Sequence, residues 1–299
     1  MTGLGALIRR NIKLYFKDKG VFYSSLITPV ILLVLYATFL KKVFDDSFRS
    51  ALEQAGATVA DSVLNGVVGG QLVSSLLAVS CVTVAFCSNL LMIKDKTSGA
   101  RHDLTISPVR PATMAMGYYI ASLSSTLIIT FSAAAVCLGY LACVGWYLTA
   151  CDVLALLLDV FLLTMFGTAL SSCINFWLTT DGQASAVGTI VSAGYGFICG
   201  AYMPISNFGT GLQKALSFLP GTYGTSLLRN HALAGAYREM ARIGFPAEVI
   251  EAIRDSIDCN LYFFGRSVSI GGMYAVLVGA TLLLVGLYVL LNAVRRERT

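Results

Sequence analysis

Charge is what this chain has least of. Only 12% of its 299 residues are Asp, Glu, Lys or Arg, and none of these falls within 62–93 or 111–151. A soluble domain carries roughly a quarter charged residues, so a water-facing surface over most of the chain is excluded. Metal chemistry lacks its usual marks. The eight cysteines, Cys81, Cys87, Cys137, Cys143, Cys151, Cys173, Cys199 and Cys259, have no CxxC spacing, and His102 and His231 stand far apart. Most of the cysteines lie in apolar runs and read as small packing residues. A Gly-rich phosphate loop ending in Gly-Lys-Ser/Thr is missing, since Gly209-Thr210-Gly211 has no such continuation. HExxH, GxSxG and kinase patterns are missing too. The chain therefore has no recognisable catalytic residues, metal ligands or bound cofactor, and any ATP-derived power must come from a partner.

What is present is apolar and continuous. Hydrophobic residues make up 56% of the chain and the mean hydropathy is +0.75. Only helices and closed barrels satisfy every backbone group in lipid. Barrel strands alternate over about 10 residues, whereas these runs are long and unbroken. The chain is expected to be an all-α integral membrane protein. The net charge of +5 reads as a topology signal and an attraction to anionic lipid headgroups, so membrane lipid is an expected partner and nucleic acid is not.

Six transmembrane helices are predicted, near 21–40, 65–93, 112–146, 153–178, 184–202 and 268–294. Pro29 is expected to kink the first. Ahead of them, 4–19 reads as an amphipathic interfacial helix. Leu4, Leu7, Ile8, Ile12, Tyr15 and Phe16 recur at helical steps, with Arg9, Arg10, Lys13 and Lys17 opposite. Residues 1–20 thus form one unit and 21–299 the transmembrane domain. Within 203–266 the composition is mixed. Pro220, Gly221 and Gly224 interrupt 212–228, which is expected to form a re-entrant hairpin or short helices at the membrane face. Residues 246–258 read as an exposed amphipathic helix.

The most informative stretch is 94–109, Lys94-Asp95-Lys96-Thr97-Ser98-Gly99-Ala100-Arg101-His102-Asp103-Leu104-Thr105-Ile106-Ser107-Pro108-Val109. It is a charged island between two charge-free runs, hence a loop at one membrane face. Basic residues concentrate there, in the N-terminal helix and in the tail, which carries Arg295, Arg296 and Arg298. The positive-inside rule puts all three in the cytoplasm and 203–266 outside.

Other features carry rival readings. Asp159 lies within the fourth span, seven residues after Asp152. It is either a transport carboxylate or an interfacial group bonded to a neighbouring helix. Tyr195, Phe197 and Tyr202 either belong to an aromatic belt or line a pathway for a greasy substrate. Gly265, Gly272, Gly279 and Gly286 make a stripe suited to close helix contact, and Gly66–Gly70 and Gly196–Gly200 are GxxxG pairs. The second pair is also a candidate for a dimer interface.

Two segments resemble the membrane subunits of ABC exporters of the type-two permease class. One is the island from Gly99-Ala100-Arg101-His102-Asp103-Leu104 through Ser107-Pro108-Val109-Arg110-Pro111 to Gly117-Tyr118-Tyr119. The other runs from Gly200-Ala201-Tyr202-Met203-Pro204-Ile205 to Leu219-Pro220-Gly221-Thr222-Tyr223 and Leu228-Arg229. The lead Lys94-Asp95-Lys96 departs from the Glu-rich lead common in that class. The resemblance implies that 94–111 forms a coupling helix seated on a separate ATP-binding subunit, which would hold ATP and Mg. Asp95, Lys96, Gly99, Arg101, His102, Asp103, Ser107 and Pro108 would carry the contact. Met203, Pro204, Pro220 and Tyr223 would shape the outer gate. A second permease chain, identical or paralogous, would complete the transporter in a bacterial cytoplasmic membrane. The implied activity is ATP-driven export of an amphiphilic or lipid-like compound, a drug or antimicrobial peptide among them. Export of a carbohydrate polymer or glycolipid by the same fold, and an ATP-independent proton-coupled carrier using Asp159, stay open.

Overall fold

Helices account for most of the described residues. The computed structural model describes residues 2–36, 38, 41–42, 45–46, 49, 61–106 and 109–296. Its first helix, α1 (Thr2–Lys17), is amphipathic as expected and buries Leu7, Asn11 and Tyr15. Asp18 caps the next helix by accepting a bond from the Val21 N–H (3.2 Å), so the chain turns by 76° into α2 (Lys19–Leu35), which continues through Pro29.

The molecule is built around α3 (Asp61–Ser88), nearly all of whose residues are buried. Helices α2, α6 (Pro111–Val144), α7 (Ala150–Trp177), α8 (Asp181–Ile198) and α10 (Pro220–Arg242) pack against it. After a break at Asn89, α4 (Leu90–Thr97) extends the same direction. The break is pinned. The Asn89 amide donates to the hydroxyls of Ser171 and Ser172 (2.8 Å each) and accepts from that of Ser122 (3.0 Å). Pro111 opens α6, where a missing N–H costs nothing. A capping box between Thr149 and Asp152 opens α7.

The island is therefore two helices rather than one loop. Its lysines belong to the last turn of α4, Gly99 turns the chain with a φ of +82°, and α5 (Ala100–Ile106) follows. A left-handed φ is what glycine supplies without steric cost.

Among the described residues, four helical runs are long and apolar enough to cross a membrane: Asp61–Thr97, Pro111–Val144, Ala150–Trp177 and Ile270–Val294. The bent pair α1–α2 raises this to five. The expected fifth span, α8, falls short. Asp181, Gln183 and four glycines dilute its apolar content, and it stops at Ile198, where Gly200 (φ +76°) reverses the chain.

The largest departure from expectation is α10. The interruptions at 212–228 do produce one short helix, α9 (Thr210–Leu216), but α10 then runs on for 23 residues and is buried among α3, α7 and the last helix, α12 (Ile270–Arg296). Its polar side chains find partners in that interior, which makes burial tolerable. Gly235 permits the approach to the connection between α6 and α7, since a Cβ there would lie 2.0 Å from the Tyr147 carbonyl oxygen. Beyond α10, the short helix α11 (Ala247–Ser256) and a two-stranded hairpin, β1 (Tyr262–Phe263) with β2 (Arg266–Ser267), lead into α12. The hairpin was not expected from the sequence.

The glycine stripe does not serve close contact within the chain. Cβ atoms at Gly279 and Gly286 would meet nothing within 4 Å, and Gly265 sits in the hairpin turn. The pair Gly196–Gly200 faces the chain's own Tyr202 and Ile205. All eight cysteines are free thiols.

Candidate functional site

The island end is organised by side chains that cross between helices. Asp95 is almost fully buried. It accepts two bonds from Arg10 on α1 (2.7 and 3.1 Å) and one from the Tyr118 hydroxyl on α6 (2.6 Å). One residue earlier, Lys94 pairs with Asp18 between α1 and α2. That ammonium holds the Asp18 carboxyl below the usual carboxylate range. Lys96 reaches the C-terminal end of α7 and donates to the carbonyls of Asn175, Phe176 and Leu178 (2.7–2.8 Å). These are the carbonyls a helix end leaves without internal partners, at its negative pole. Arg101 donates to the Asn292 side chain on α12 (2.9 Å). The island is thus fastened to α1, α6, α7 and α12 at once.

What the island leaves outward lies on α5. His102 and Asp103 are exposed, and Ile106 is exposed to 74% of its surface. Of the residues expected to couple to an ATPase, Asp95 and Lys96 turn inward, Arg101 bridges, and Gly99 forms the exposed corner. Ser107 and Pro108 lie outside the described residues.

The opposite end of the bundle holds a second set of charges. Arg229, with 1% of its surface exposed, reaches from α10 to the Gly200 carbonyl and to Asp258 (3.4 Å). Asp258 in turn accepts from the backbone N–H groups of Ile205 and Ser206. Burial pushes the Asp258 carboxyl up, against the pull of Arg229 and those N–H groups. Asn230 and Ser226 donate to the Cys259 carbonyl (2.6 and 2.8 Å). The chain reversal after α8 and the segment after α11 are tied together through α10.

Of the expected gate residues, Pro220 starts α10, and Tyr223 is buried with its hydroxyl on the Ser217 carbonyl (2.6 Å). Met203 and Pro204 lie half-buried in the turn that Asp258 holds. The pathway candidates separate. Tyr195 is buried, with its hydroxyl against Gly221, whereas Phe197 is half-exposed and meets Tyr202 edge-on at 5.1 Å. Asp159 joins none of them. It is fully buried, 2.5 Å from His231 Nδ1 on α10, and accepts from the Tyr274 hydroxyl on α12 (2.6 Å).

Arg10, Tyr118, Asp258, His231 and Tyr274 were missed as site residues. The available signal was a run of polar residues, Arg229-Asn230-His231, inside an otherwise apolar stretch.

No match to a curated protein was found. The ABC-2 type transporter family matches residues 2–232, a stretch that includes the island, the reversal after α8 and the first half of α10. With that match added to its membrane-length helices, the chain belongs to the ABC-2 type transporter family and is a multi-pass membrane permease component rather than a catalyst.

Proposed function

We propose that this chain is the permease half of an ATP-driven exporter of an amphiphilic or lipid-like compound. It would work with a separate ATP-binding subunit and a second permease chain in a bacterial cytoplasmic membrane. Both termini and the island would face the cytoplasm. One observation carries the reading. The island presents His102, Asp103 and Ile106 outward while its inner face is fastened to α1, α6, α7 and α12. A force applied to α5 would move those helices as a body. The chain has no phosphate loop of its own, so ATP and Mg would belong to the partner.

The test is co-expression with an ABC ATPase and measurement of transport by the reconstituted pair. Replacing His102, Asp103 and Ile106 together by Ala should leave the permease folded but uncouple ATP hydrolysis from transport. Transport that continues without ATP would sink the reading. A second reading, a proton-coupled carrier, draws on the Asp159–His231–Tyr274 cluster. It requires ATP-independent transport abolished by Asp159→Asn.

A further inference from the structure

A cavity of about 560 Å³ opens at the end of the bundle where α12 begins, away from the island. Its walls come from α9, the start of α10, the end of α11 and the hairpin. That volume lies within the range of pockets for small ligands, roughly 300–1,000 Å³. Its two carboxylates differ. Asp258 is compensated by Arg229. Asp255 accepts only from neutral donors, the Asn260 amide (2.8 Å) and the Tyr262 hydroxyl (3.1 Å). No cation among the described residues lies within ion-pair distance of it. Lys214, on α9, lines the same cavity and likewise has no anionic partner among the described residues. Opposite charges placed on different walls and not paired with each other make a receptor for a group that carries both.

The aromatic residues add to this. Tyr262, bonded to Asp255, and Phe264 line the same cavity, and aromatic faces beside a carboxylate favour an ammonium group. Phe264 also belongs to an exposed cluster with Phe218 and Phe263, ring centroids 4.9–5.8 Å apart. The cluster lies just before a membrane-length helix, and aromatic side chains at span ends favour the level of lipid headgroups.

We infer that this cavity binds a zwitterionic group, its ammonium against Asp255, Tyr262 and Phe264 and its phosphate or carboxylate against Lys214. A phospholipid headgroup and a free zwitterionic solute share that chemistry. The inference does not rest on ATP-driven export, because binding is measured on the permease alone.

The experiment is native mass spectrometry of the full chain extracted from vesicles of equal parts dioleoylphosphatidylcholine and dioleoylphosphatidylglycerol. The wild type should retain phosphatidylcholine in preference. Asp255→Asn and Lys214→Gln should each reduce that preference about tenfold, the loss of one charged contact. Both positions are outside the packed core, and an unchanged unfolding midpoint confirms that each variant is folded. Added glycerophosphocholine that displaces the lipid supports the site with the free solute as sufficient ligand. Retention that resists it supports the site with the lipid as ligand. Equal retention of the two lipids, or a preference untouched by both variants, overturns the inference.

Discussion

The two ends of the bundle use buried charge for different purposes. At the island, charges join helices to one another, and the backbone groups they meet are those of a helix end. Asp95 and Lys94 link α4 to α1 and α6, and Lys96 closes the end of α7. At the far end, charges replace missing secondary structure. Arg229 and Asp258 bond to the Gly200 carbonyl and to the N–H groups of Ile205 and Ser206, where no helix or sheet supplies partners. In a membrane protein, irregular backbone persists only where something satisfies it. Exposure differs too. Arg229 and Asp258 are 1% and 8% exposed, whereas each island pair keeps a partner in reach of water: Arg10 is 34% exposed beside Asp95 at 7%, and Lys94 and Asp18 are 43% and 37% exposed. The far end is a lock, and the island is a set of struts that water can reach.

The sharpest way to break this contrast is at Arg229. Arg229→Met leaves Asp258 buried without its cation and strips the Gly200 carbonyl of its donor. Breaking one partner of a buried pair costs about 3–5 kcal/mol, read as a lowered unfolding midpoint in detergent. The double variant Arg229→Met with Asp258→Asn should lose less than the single one, because no unpaired charge remains. If the double variant is the worse of the two, the lock reading fails. Next in size is Asp159→Asn. It replaces one of the two carboxyl oxygens that meet His231 and Tyr274 with an amide nitrogen, so one of these contacts between α7, α10 and α12 is weakened, for a loss of about 1–3 kcal/mol.

How much of this was legible depended on how local each signal was. Charge-free runs announced α3, α6 and α12, and a long apolar run announced α7 despite Asp159, because lipid demands about 20 apolar residues wherever a helix crosses it. The amphipathic period announced α1. By contrast, α10 was hidden. Arg229, Asn230, His231 and Arg238 make its sequence look like a surface, and only the partners that fold around it, Asp258, Asp159 and Asp152, explain its burial. The same holds for Asp95. In the sequence it is one charge of a solvated island, and its burial depends on Arg10 and Tyr118, 85 and 23 residues away. The hairpin before α12 involves two residues per strand, and Gly265 alone gave no pattern to read.

At the island the expected losses are smaller. Asp95→Asn removes the charge that Arg10 and Tyr118 share. Arg10 is partly exposed, and solvent screens the pair. A loss of about 1–2 kcal/mol is expected, with faster amide exchange confined to α1 and α4. Exchange that rises equally in α10 would show that the two ends are not separate. Ile106→Ala shortens a side chain that is 74% exposed. It should shift stability by less than about 0.5 kcal/mol while, under the proposed function, weakening the response to an added ABC ATPase.

The smallest effect is the response of the Lys94–Asp18 strut to pH. Lys94 holds the Asp18 carboxyl below its ordinary range in the folded chain. A depressed carboxylate contributes stability that is fully present above its unfolded value, about 3.9, and is lost as pH falls through the folded value. Amide protection of the α1–α2 junction should therefore stay level from about pH 8 to pH 5 and decline only below about pH 4. Lys94→Met, measured at neutral pH, should reproduce the low-pH level of protection at that junction and leave the far end untouched. A decline that is already complete above pH 5 would show that the junction does not depend on the Asp18 carboxylate.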